Sequence, residues 1–514
     1  MKKLLITIVL CMPVMLIASV RPIHIQSAAG DVVCQLPSRS RLSRAIAAAK
    51  ADADVFAVPL SVDFTPYNSG MWSTVDDERV WRIVLCSEDA CSLNLLVSDF
   101  FIPCRAVLTV ASADGCSYIF RFTADNNSSL LAVPAIAGDS IIVEYTEPCD
   151  APFAGMFTIS QVGHGFKQVP VLGGSEQSGY CQVSVNSDIA DEWLSDAHAV
   201  CKIIIGGTTL CTGTLLATAD AANPNYVLTA RHCISTARQA QGSVFIFNYG
   251  DLTSVDSCYV SGSELVAVKN RDSDGYLDFA LVRLEALPIG GAISRAGWNA
   301  TEKQPVGAVC IHHPNGDLKK IAITSDSLMV TSYNNFDPAT FFNVGEWSVG
   351  ATEAGSSGAP LFDDDHKVVG LLAGGDSDCD YPMNDYFQMF AACYNRYSVD
   401  SQQLAHWLDP LSITSGTLSS DPVSRINDQS VPQPAVVSVM PSPAVTRITI
   451  VADRPIGNII VTDAYGRLLR SAVVDGECSF IVDVSNYADG IYIAQVQLTD
   501  GQKYAVKFIV NKQK

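Results

Sequence analysis

Two adjacent serines stand in a glycine frame in the segment TEAGSSGAPLF (352–362). A serine hydroxyl becomes a nucleophile when a base takes its proton, an acid orients that base, and backbone N–H groups face the developing oxyanion. Glycine on both sides of a serine lets the backbone approach a substrate closely. Glycine and serine also dominate ordinary turns, so this segment alone is equally well interpreted as a polar turn. A nucleophilic serine here therefore depends on partners elsewhere in the chain.

A histidine follows an apolar strand pattern in the segment CTGTLLATADAANPNYVLTARHCI (211–234). The pattern ends at Thr229, and His232 comes directly before Cys233. We expect Cys211 and Cys233 to form a disulfide that joins the strands flanking the histidine and fixes its loop. A single loop histidine is usually only a solvated side chain, but this cysteine frame favours a functional base.

An aspartate begins the next strand pattern, in GYLDFALVRLE (275–285). An aspartate held at the start of a strand, as predicted for Asp278, can accept the imidazole N–H of His232. The preceding DSDG (272–275) resembles a calcium loop, but its glycine position and the lack of a distal glutamate do not fit an EF-hand. We therefore expect no bound metal and no cofactor.

The chain order His232, Asp278, Ser357 resembles that of the chymotrypsin-like serine proteases. Three segments carry the resemblance: TARHC (229–233), DFALVRL (278–284) and GSSGAP (355–360). The resemblance implies a double β-barrel in which His232 is the base, Asp278 orients it, and Ser357, the serine followed by Gly-x-Pro, is the nucleophile. It also implies an oxyanion hole formed by the backbone N–H groups of Gly355 and Ser357.

A narrower resemblance covers roughly residues 175–412 and concerns the bacterial lysyl endopeptidase group. Its segments are AGWNATEKQPVGAVCIHHPNGDLKKI (296–321), ATEAGSSGAPLF (351–362) and HWLDP (406–410). The resemblance implies cleavage after lysine, with Asp385 binding the substrate ammonium and with Gly374 and Gly375 lining the pocket and pairing with the substrate main chain. It further implies a disulfide between Cys181 and Cys379.

The specificity acid of trypsin lies six residues before its serine, and Ala351 occupies that place here. A negative charge for a cationic substrate must therefore come from elsewhere, because a buried ammonium needs a paired charge. Glu353, Asp376 and Asp378 remain competing candidates beside Asp385.

Two further positions depart from these families. Ala373 stands where the lysyl endopeptidases have a histidine, so their pH profile is not expected here. Ser356 stands where the trypsin zymogen has the aspartate that pairs with a new N-terminus, so that salt bridge is excluded. We therefore expect activation to require removal of an N-terminal module from the site.

Length and composition limit the architecture and the partners. The chain has 514 residues, more than one core usually organises, with 48% hydrophobic and 17% charged residues. Short alternating runs predict a mainly β protein of several modules. The formal charge of -20 disfavours nucleic acid and anionic membrane surfaces as partners.

Composition divides the chain into five segments. The first has two lysines before a short apolar run, as in a signal peptide, and no other segment is apolar enough to span a bilayer. The second is β-rich and is interpreted as an inhibitory or folding-assisting propeptide. The five segments are a signal peptide (1–29), a propeptide (30–167), a serine protease domain (168–412), a Ser/Asp/Pro-rich linker (413–434) and an immunoglobulin-like β-sandwich (435–514).

The last segment resembles the C-terminal sorting domain of the type IX secretion system of the Bacteroidetes. The resemblance is carried by VSVMPSPAVTRITI (437–450), VTDAYGRLL (461–469) and DVSNYADGIYIAQVQLTDGQKYAVKFIV (483–510). The usual Pro-Asn-Pro appears as Pro-Ser-Pro (441–443). The resemblance implies the type IX secretion machinery as a partner and a secreted or cell-surface protein. Sixteen cysteines suit such an oxidising compartment.

A single basic residue marks the junction between the second and third segments. Lys167 is the only Lys or Arg between Arg121 and Lys202, within VGHGFKQVPVLGGSEQSG (162–179). This segment is predicted to be an exposed connection of the kind that proteases cut. A lysine-cleaving enzyme would cut it after Lys167 and leave Gln168 as the mature N-terminus. Cleavage by another protease near residue 173 is the alternative.

These patterns favour a secreted serine endopeptidase that cuts after lysine in protein or peptide substrates through an acyl-enzyme. An arginine-specific or mixed Lys/Arg protease is the alternative within the same chemistry. The alternative outside it is a catalytically silent surface-binding protein on a protease scaffold, because a fold does not guarantee activity.

Overall fold

The computed structural model describes residues 31–512 with several gaps. The signal segment 1–29, part of the predicted linker and the Pro-Ser-Pro motif lie outside the described residues. The gaps are 76, 114–118, 152, 169–177, 221, 250–257, 289–291, 426–436, 441–443, 453–455, 464–466, 475–478 and 499–502. The chain separates into two compact units, residues 1–426 and 427–514. No helix in the described part is long and apolar enough to cross a membrane.

The N-terminal module consists of two sheets packed face to face. Its elements are β1 (Val33–Gln35), α1 (Ser43–Ala49), β2 (Ala57–Phe64), β3 (Met71–Val75), β4 (Glu78–Cys86), β5 (Ser92–Phe101), β6 (Val107–Ser112), β7 (Ile119–Phe122), β8 (Ser128–Ala137), β9 (Ser140–Pro148) and β10 (Met156–Gly165). One sheet has the order β1-β4-β9-β6-β7 with β3 beside β4, and the other β2-β10-β5-β8. Alternate residues of β4, namely Trp81, Ile83 and Leu85, are buried in the core between them.

The second module of the same unit contains two further sheets. Its strands are β11 (Val183–Ser184), β12 (Val200–Ile205), β13 (Thr209–Leu215), β14 (Asn225–Thr229), β15 (Ser243–Phe247), β16 (Cys258–Ser261), β17 (Glu264–Val268), β18 (Ala280–Leu284), β19 (Ala292–Arg295), β20 (Gly297–Asn299), β21 (Val306–His312), β22 (Lys320–Ser327), β23 (Met329–Thr331), β24 (Phe341–Glu346), β25 (Pro360–Phe362), β26 (Lys367–Gly375), β27 (Met383–Met389), β28 (Thr417–Leu418) and β29 (Asp421–Arg425).

Short helices connect these strands, and one core joins the two sheets. The first sheet has the order β16-β15-β12-β13-β14-β18-β17, and the second β11-β22-β21-β25-β26-β27-β24-β23 with β20 and β28 attached. A single buried cluster contains residues of both sheets, for example Phe245 and Leu361. This mainly β architecture confirms the predicted fold class and is the one expected for a double β-barrel. The α-helices are α2 (Leu194–Ala197), α3 (Ala237–Gln241), α4 (Phe390–Tyr394) and α5 (Leu404–Leu408), and the 3₁₀-helices of this unit are Ala124–Asn126, Asp188–Trp193, Pro314–Gly316 and Asp400–Gln402.

The start of the predicted linker is structured. Strand β28 pairs with β20, and β29 pairs with β19, so residues 417–425 belong to the second module. The prediction of a linker from residue 413 relied on its Ser, Asp and Pro content, which does not register backbone pairing with a distant strand.

The C-terminal unit is a β-sandwich in its own right. Its strands are β30 (Val437–Met440), β31 (Arg447–Ala452), β32 (Ile456–Asp463), β33 (Leu468–Val473), β34 (Ser479–Asp483), β35 (Gly490–Leu498) and β36 (Lys503–Val510). They form a sheet of order β30-β31-β34 and a sheet of order β33-β32-β35-β36. Apolar residues from both sheets, such as Ile450 and Val461, make its core.

Candidate active site

Pairing of β14 with β18 brings a histidine and an aspartate together. In this antiparallel pair Thr229 lies opposite Ala280, so the residues after β14 adjoin those before β18. His232 Nδ1 is 2.8 Å from Asp278 Oδ2, and the His232 backbone N–H donates to Asp278 Oδ1 at 3.0 Å. The Asp278 carboxylate therefore fixes both the ring and the main chain of His232.

Asp278 is itself held from the second sheet. Its side chain is buried, and its backbone N–H donates to Gln388 Oε1 at 3.0 Å. The Gln388 amide in turn donates to the carbonyl of Thr340 at 2.7 Å. This chain of hydrogen bonds links the His232–Asp278 pair to β27 and hence to the other sheet.

The electrostatics around His232 raise its pKa above the ordinary value. Partial removal from water lowers the pKa of the ring, but the negative charge of Asp278 and its hydrogen bond raise it, with smaller contributions from Asp54 and Asp52. The imidazolium is thus stabilised by its carboxylate partner, as a general base that accepts a proton requires.

The disulfide between Cys211 and Cys233 joins β13 to the His232 loop. Strand β13 also carries Thr212, whose N–H donates to the Ser357 carbonyl at 2.8 Å and whose hydroxyl donates to the Gly355 carbonyl at 2.9 Å. The histidine loop and the serine turn are therefore attached to the same strand.

The two adjacent serines have different surroundings. Ser356 is fully buried, and its Oγ lies 2.7 Å from His312 Nδ1 and accepts the Glu353 N–H at 3.2 Å. Burial, followed by the charge of Lys320, lowers the pKa of His312 to about 3, so that ring is neutral. Ser356 is a structural member of the turn. Ser357 is the serine whose hydroxyl reaches the cleft, that is, the space bounded by His232, Gly355 and Ser357.

The turn requires glycine at position 355. Gly355 has φ +85°, and a Cβ there would lie 2.9 Å from the carbonyl oxygen of His313 and 3.0 Å from the nitrogen of Gly316. The left-handed conformation points the Gly355 N–H into the cleft beside Ser357.

Asp385 lies on β27, at the base of the region expected to bind a substrate side chain. Its carboxylate accepts hydrogen bonds from Trp347 Nε1 at 2.6 Å and Thr352 Oγ1 at 2.7 Å. Burial raises the pKa of Asp385 to about 6, although these hydrogen bonds act in the opposite direction. Among the described residues, no basic side chain forms an ion pair with it.

Gly374 and Gly375 lie beside this carboxylate, on β26. Gly375 pairs with Asp385 in the ladder, and a Cβ on Gly375 would lie 2.2 Å from Asp385 Oδ1. A Cβ on Gly374, which has φ +145°, would lie 2.8 Å from Tyr333 Oη. A side chain at position 375 would therefore collide with the Asp385 carboxylate, and one at position 374 would collide with Tyr333.

The other three carboxylates considered for binding a substrate ammonium are either hydrogen-bonded within the protein or exposed to solvent. Glu353 accepts the Gly179 N–H at 3.1 Å and the Asn315 amide at 2.8 Å. Asp378 is exposed and caps a turn by accepting the N–H of Tyr381 at 2.7 Å. Asp376 is also exposed. Asp385 alone among the four candidates is buried.

Two other predicted features concern the start of the second module. Cys181 and Cys379 form a disulfide. Lys167 follows β10; its N–H donates to the Phe56 carbonyl at 3.3 Å and its ammonium to the Ala53 carbonyl at 2.5 Å. The structure therefore places Lys167 against the N-terminal module. The prediction of an exposed connection is wrong for residues 162–166, which are buried in β10 or directly after it. The alternative cleavage region near residue 173 lies outside the described residues.

Sequence reasoning missed a carboxylate of the N-terminal module that enters the cleft. The Gly355 N–H donates to Asp54 Oδ1 at 2.5 Å, and Ser357 Oγ donates to Asp54 Oδ2 at 3.4 Å. Within the described part of the chain, no hydrogen bond joins Ser357 to His232. No local signal in ADADVF (51–56) identifies this contact, which depends on how two modules pack.

The loop with Asp272 and Asp274, which resembled a calcium loop, surrounds a lysine. Lys269 Nζ lies 2.8 Å from Asp272 Oδ2 and 3.9 Å from Asp274 Oδ2. Over the described residues, no group of three or more His, Cys, Asp or Glu side chains is arranged to hold a metal ion.

Comparison with known proteins gives two family-model matches. Residues 175–388 match the lysyl endopeptidase C-terminal domain, and residues 438–511 match the secretion system C-terminal sorting domain. The chain is thus similar to both domains over separate segments, and the second match assigns it to the cell surface or the extracellular space. A curated relative, lysyl endopeptidase of Pseudomonas aeruginosa, is 29% identical over 295 residues, covering 52% of this chain and 62% of that protein.

Two solved structures are also similar. Neuropsin, a serine protease expressed in the limbic system of mouse brain, matches 38% of this chain and 91% of its own at 16% identity and a TM-score of 0.30. A Glu endopeptidase in complex with MPD matches 43% of this chain and 94% of its own at 20% identity and a TM-score of 0.27.

Proposed function

We propose that this chain, which carries a lysyl endopeptidase C-terminal domain at residues 175–388, is an exported serine endopeptidase that cuts peptide bonds after lysine. One observation carries the proposal: the His232–Asp278 hydrogen bond of 2.8 Å stands in the same cleft as the Ser357 hydroxyl and the Gly355 N–H. Base, orienting acid, nucleophile and oxyanion donor are the four groups that acyl transfer needs.

The chemistry proceeds in two halves. His232 Nε2 takes the Ser357 proton as Oγ bonds to the substrate carbonyl carbon, while Asp278 holds the Nδ1 proton in place. The N–H groups of Gly355 and Ser357 stabilise the oxyanion. His232 then donates the proton to the leaving amine as the C–N bond breaks, which leaves an acyl-Ser357. Water, deprotonated by His232, attacks this ester and releases the acid and the serine.

The preference for lysine is assigned to Asp385. A long apolar stem ending in an ammonium fits a pocket whose walls are glycine and whose base is a buried carboxylate. Asp385 accepts hydrogen bonds from Trp347 and Thr352 and, among the described residues, has no cationic partner. A substrate ammonium would supply that charge and favour the ionised carboxylate.

The remaining modules are proposed to serve export and latency. The domain at 438–511 would engage the type IX secretion machinery, and residues 30–167 would form a propeptide. The protease domain would begin at Gln168 after cleavage at Lys167.

Two measurements test the proposal. The processed enzyme should be labelled at Ser357 by a fluorophosphonate, and its digest of a denatured protein should contain cleavage after lysine alone when read by mass spectrometry. Cleavage after arginine as well would assign a mixed specificity, and cleavage after arginine only would overturn the function given to Asp385. Absence of both labelling and cleavage would leave a binding protein on a protease scaffold.

A further inference from the structure

The connection between α1 and β2, residues 50–56, occupies the cleft of the protease module. Within it, Asp54 presents one carboxylate oxygen to the Gly355 N–H at 2.5 Å and the other to Ser357 Oγ at 3.4 Å. These two donors are the groups that the proposed reaction uses at the substrate carbonyl. A negatively charged oxygen on the Gly355 N–H occupies the position where an oxyanion would develop.

The main chain of this connection is attached to the edge of β13. Val55 bridges Thr209 in antiparallel fashion, and the Leu210 N–H donates to the Asp54 carbonyl at 3.0 Å. Strand β13 belongs to the first sheet, whereas Asp385 lies on β27 in the second. The connection therefore pairs with the first sheet as an added strand, whereas the carboxylate of the proposed lysine pocket belongs to the second sheet.

Apolar packing fixes the connection in this position. Phe56 and Ala57 are fully buried, in a cluster that includes Ile204 and Leu210 of the protease module and Leu96 of the N-terminal module. The Asp54 N–H donates to Asp52 Oδ1 at 3.0 Å, which orients the residue. The packing between the two modules therefore holds the Asp54 carboxylate in a fixed position, which a flexible loop would not do.

Several charged groups face Asp54. Burial raises the pKa of its carboxyl, the Gly355 N–H and the positive charge of His232 lower it, and Asp52 raises it again. The ammonium of Lys167 is held at the neighbouring Ala53 carbonyl. The contact therefore combines a carboxylate with two donors and nearby cationic groups, which favours a charge-assisted hydrogen bond at Gly355.

We propose that Asp54 is the inhibitory residue of the precursor: its carboxylate fills the oxyanion hole and diverts the Ser357 hydroxyl from His232. This inference rests on the proposed endopeptidase function and adds the group by which the N-terminal module regulates it. Removal of residues 30–167 would take this carboxylate out of the cleft and free both donors. Asp54 is then a product-like carboxylate built into the chain.

The test compares full-length precursors in which Lys167→Gln slows processing while keeping a side-chain donor for the Ala53 carbonyl. Fluorophosphonate labelling is scored on the full-length band alone, beside hydrolysis of a lysyl peptide amide. Asp54→Ala should be labelled about 10-fold faster or more than its parent, since hydrogen bonds to a charged group are lost. Asp54→Asn, which keeps the shape without the charge, should fall between them. Asp63→Ala, an exposed carboxylate on β2, should match the parent.

The possible outcomes separate the two proposals. Wild-type enzyme after processing serves as the positive standard, and its failure to react would overturn the endopeptidase function itself. A reactive processed enzyme with an Asp54→Ala precursor as silent as its parent would overturn the function of Asp54. A parent precursor already labelled as fast as processed enzyme would do the same. Thermal unfolding of each variant checks that faster labelling does not result from destabilisation of the N-terminal module. If Asp54→Ala unfolds, the labelling rate of Asp54→Asn decides the test.

Discussion

At the residue scale, the contacts of the two serines predict opposite effects of their removal. Ser357→Ala should lower kcat by a factor on the order of 10⁴–10⁶, because the nucleophile is lost while its backbone contacts to Thr212 remain. Ser356→Ala should keep substantial activity and lose about 1–3 kcal/mol of stability, since a nitrogen of buried His312 loses its partner. Steady-state kinetics and thermal unfolding of the processed variants measure both. An essential Ser356 with a dispensable Ser357 would contradict the assignment.

The raised pKa of Asp385 predicts that kcat/KM depends on pH in an additional way for cationic substrates only. Burial raises the pKa of Asp385 to about 6, so in the free enzyme the carboxylate gains its charge as pH rises through about 6 and loses it below. Binding of a lysine side chain should therefore weaken on acidification, in addition to the loss of activity from protonation of His232. The ratio of kcat/KM for a lysine substrate to that for its uncharged norleucine analogue isolates the Asp385 contribution, because His232 affects both.

Replacing the Asp385 carboxylate should remove its contribution to the binding of a lysine side chain. Asp385→Asn is expected to lower kcat/KM for lysine substrates by about 10²–10⁴-fold, because an ammonium left buried without its partner costs about 3–5 kcal/mol. The exposed Asp376→Asn is the matched control and should retain the preference. An unchanged lysine preference in Asp385→Asn would transfer the function to another carboxylate.

At the scale of elements, the turn that carries Ser357 depends on one backbone conformation. Gly355→Ala places a Cβ at φ +85° against the backbone of His313 and Gly316, so the turn must shift and its N–H must leave the oxyanion position. We expect kcat to fall by about 10²–10³-fold with a smaller change in KM. Gly345→Ala, where a Cβ meets nothing within 4 Å, is the control. Equal kinetics of the two variants would show that Gly355 is only a turn residue.

The elements also show how far sequence patterns reach. Short alternating apolar runs predict a mainly β protein, and strands such as β4 and those of the C-terminal sandwich follow this pattern because each buries one face in a local core. Pairing between β14 and β18 brings His232 to Asp278, and the chain order that resembles a known family anticipated this. Composition instead predicts a linker where β28 and β29 lie, because their pairing partners are more than a hundred residues earlier in the chain.

At the scale of the whole molecule, the contact between modules is the feature that no segment of the sequence predicts. Asp54 lies 303 residues before Ser357, in a stretch whose composition is that of an ordinary turn. Its effect arises only when Phe56 and Ala57 pack against Leu210. Composition and periodicity identified the modules, whereas the surface that one module presents to another depends on complementary shape.

The same packing predicts how maturation proceeds. Asp54 occupies the donors of the site, and Lys167 is bound to the Ala53 carbonyl of its own module rather than to Asp385. A precursor should therefore be unable to cut its own Lys167–Gln168 bond while closed, and processing should be carried out by an already active molecule. The rate of conversion of pure precursor is then expected to rise with its concentration and to accelerate when processed enzyme is added.

Purified Ser357→Ala precursor can be cleaved but cannot cleave, so it shows which molecule carries out the processing. Alone it should remain full length, because it has no nucleophile; with a trace of processed wild-type enzyme it should be cut, and N-terminal sequencing should find Gln168. Lys167→Gln in the same background should resist that cut. Conversion of Ser357→Ala in isolation would refute self-processing, a rate independent of concentration would refute cleavage between molecules, and a mature chain beginning well away from Gln168 would refute the site. Lys167 is thus expected to have two functions. Its side chain stabilises the closed precursor, and cleavage of the bond after it ends that state.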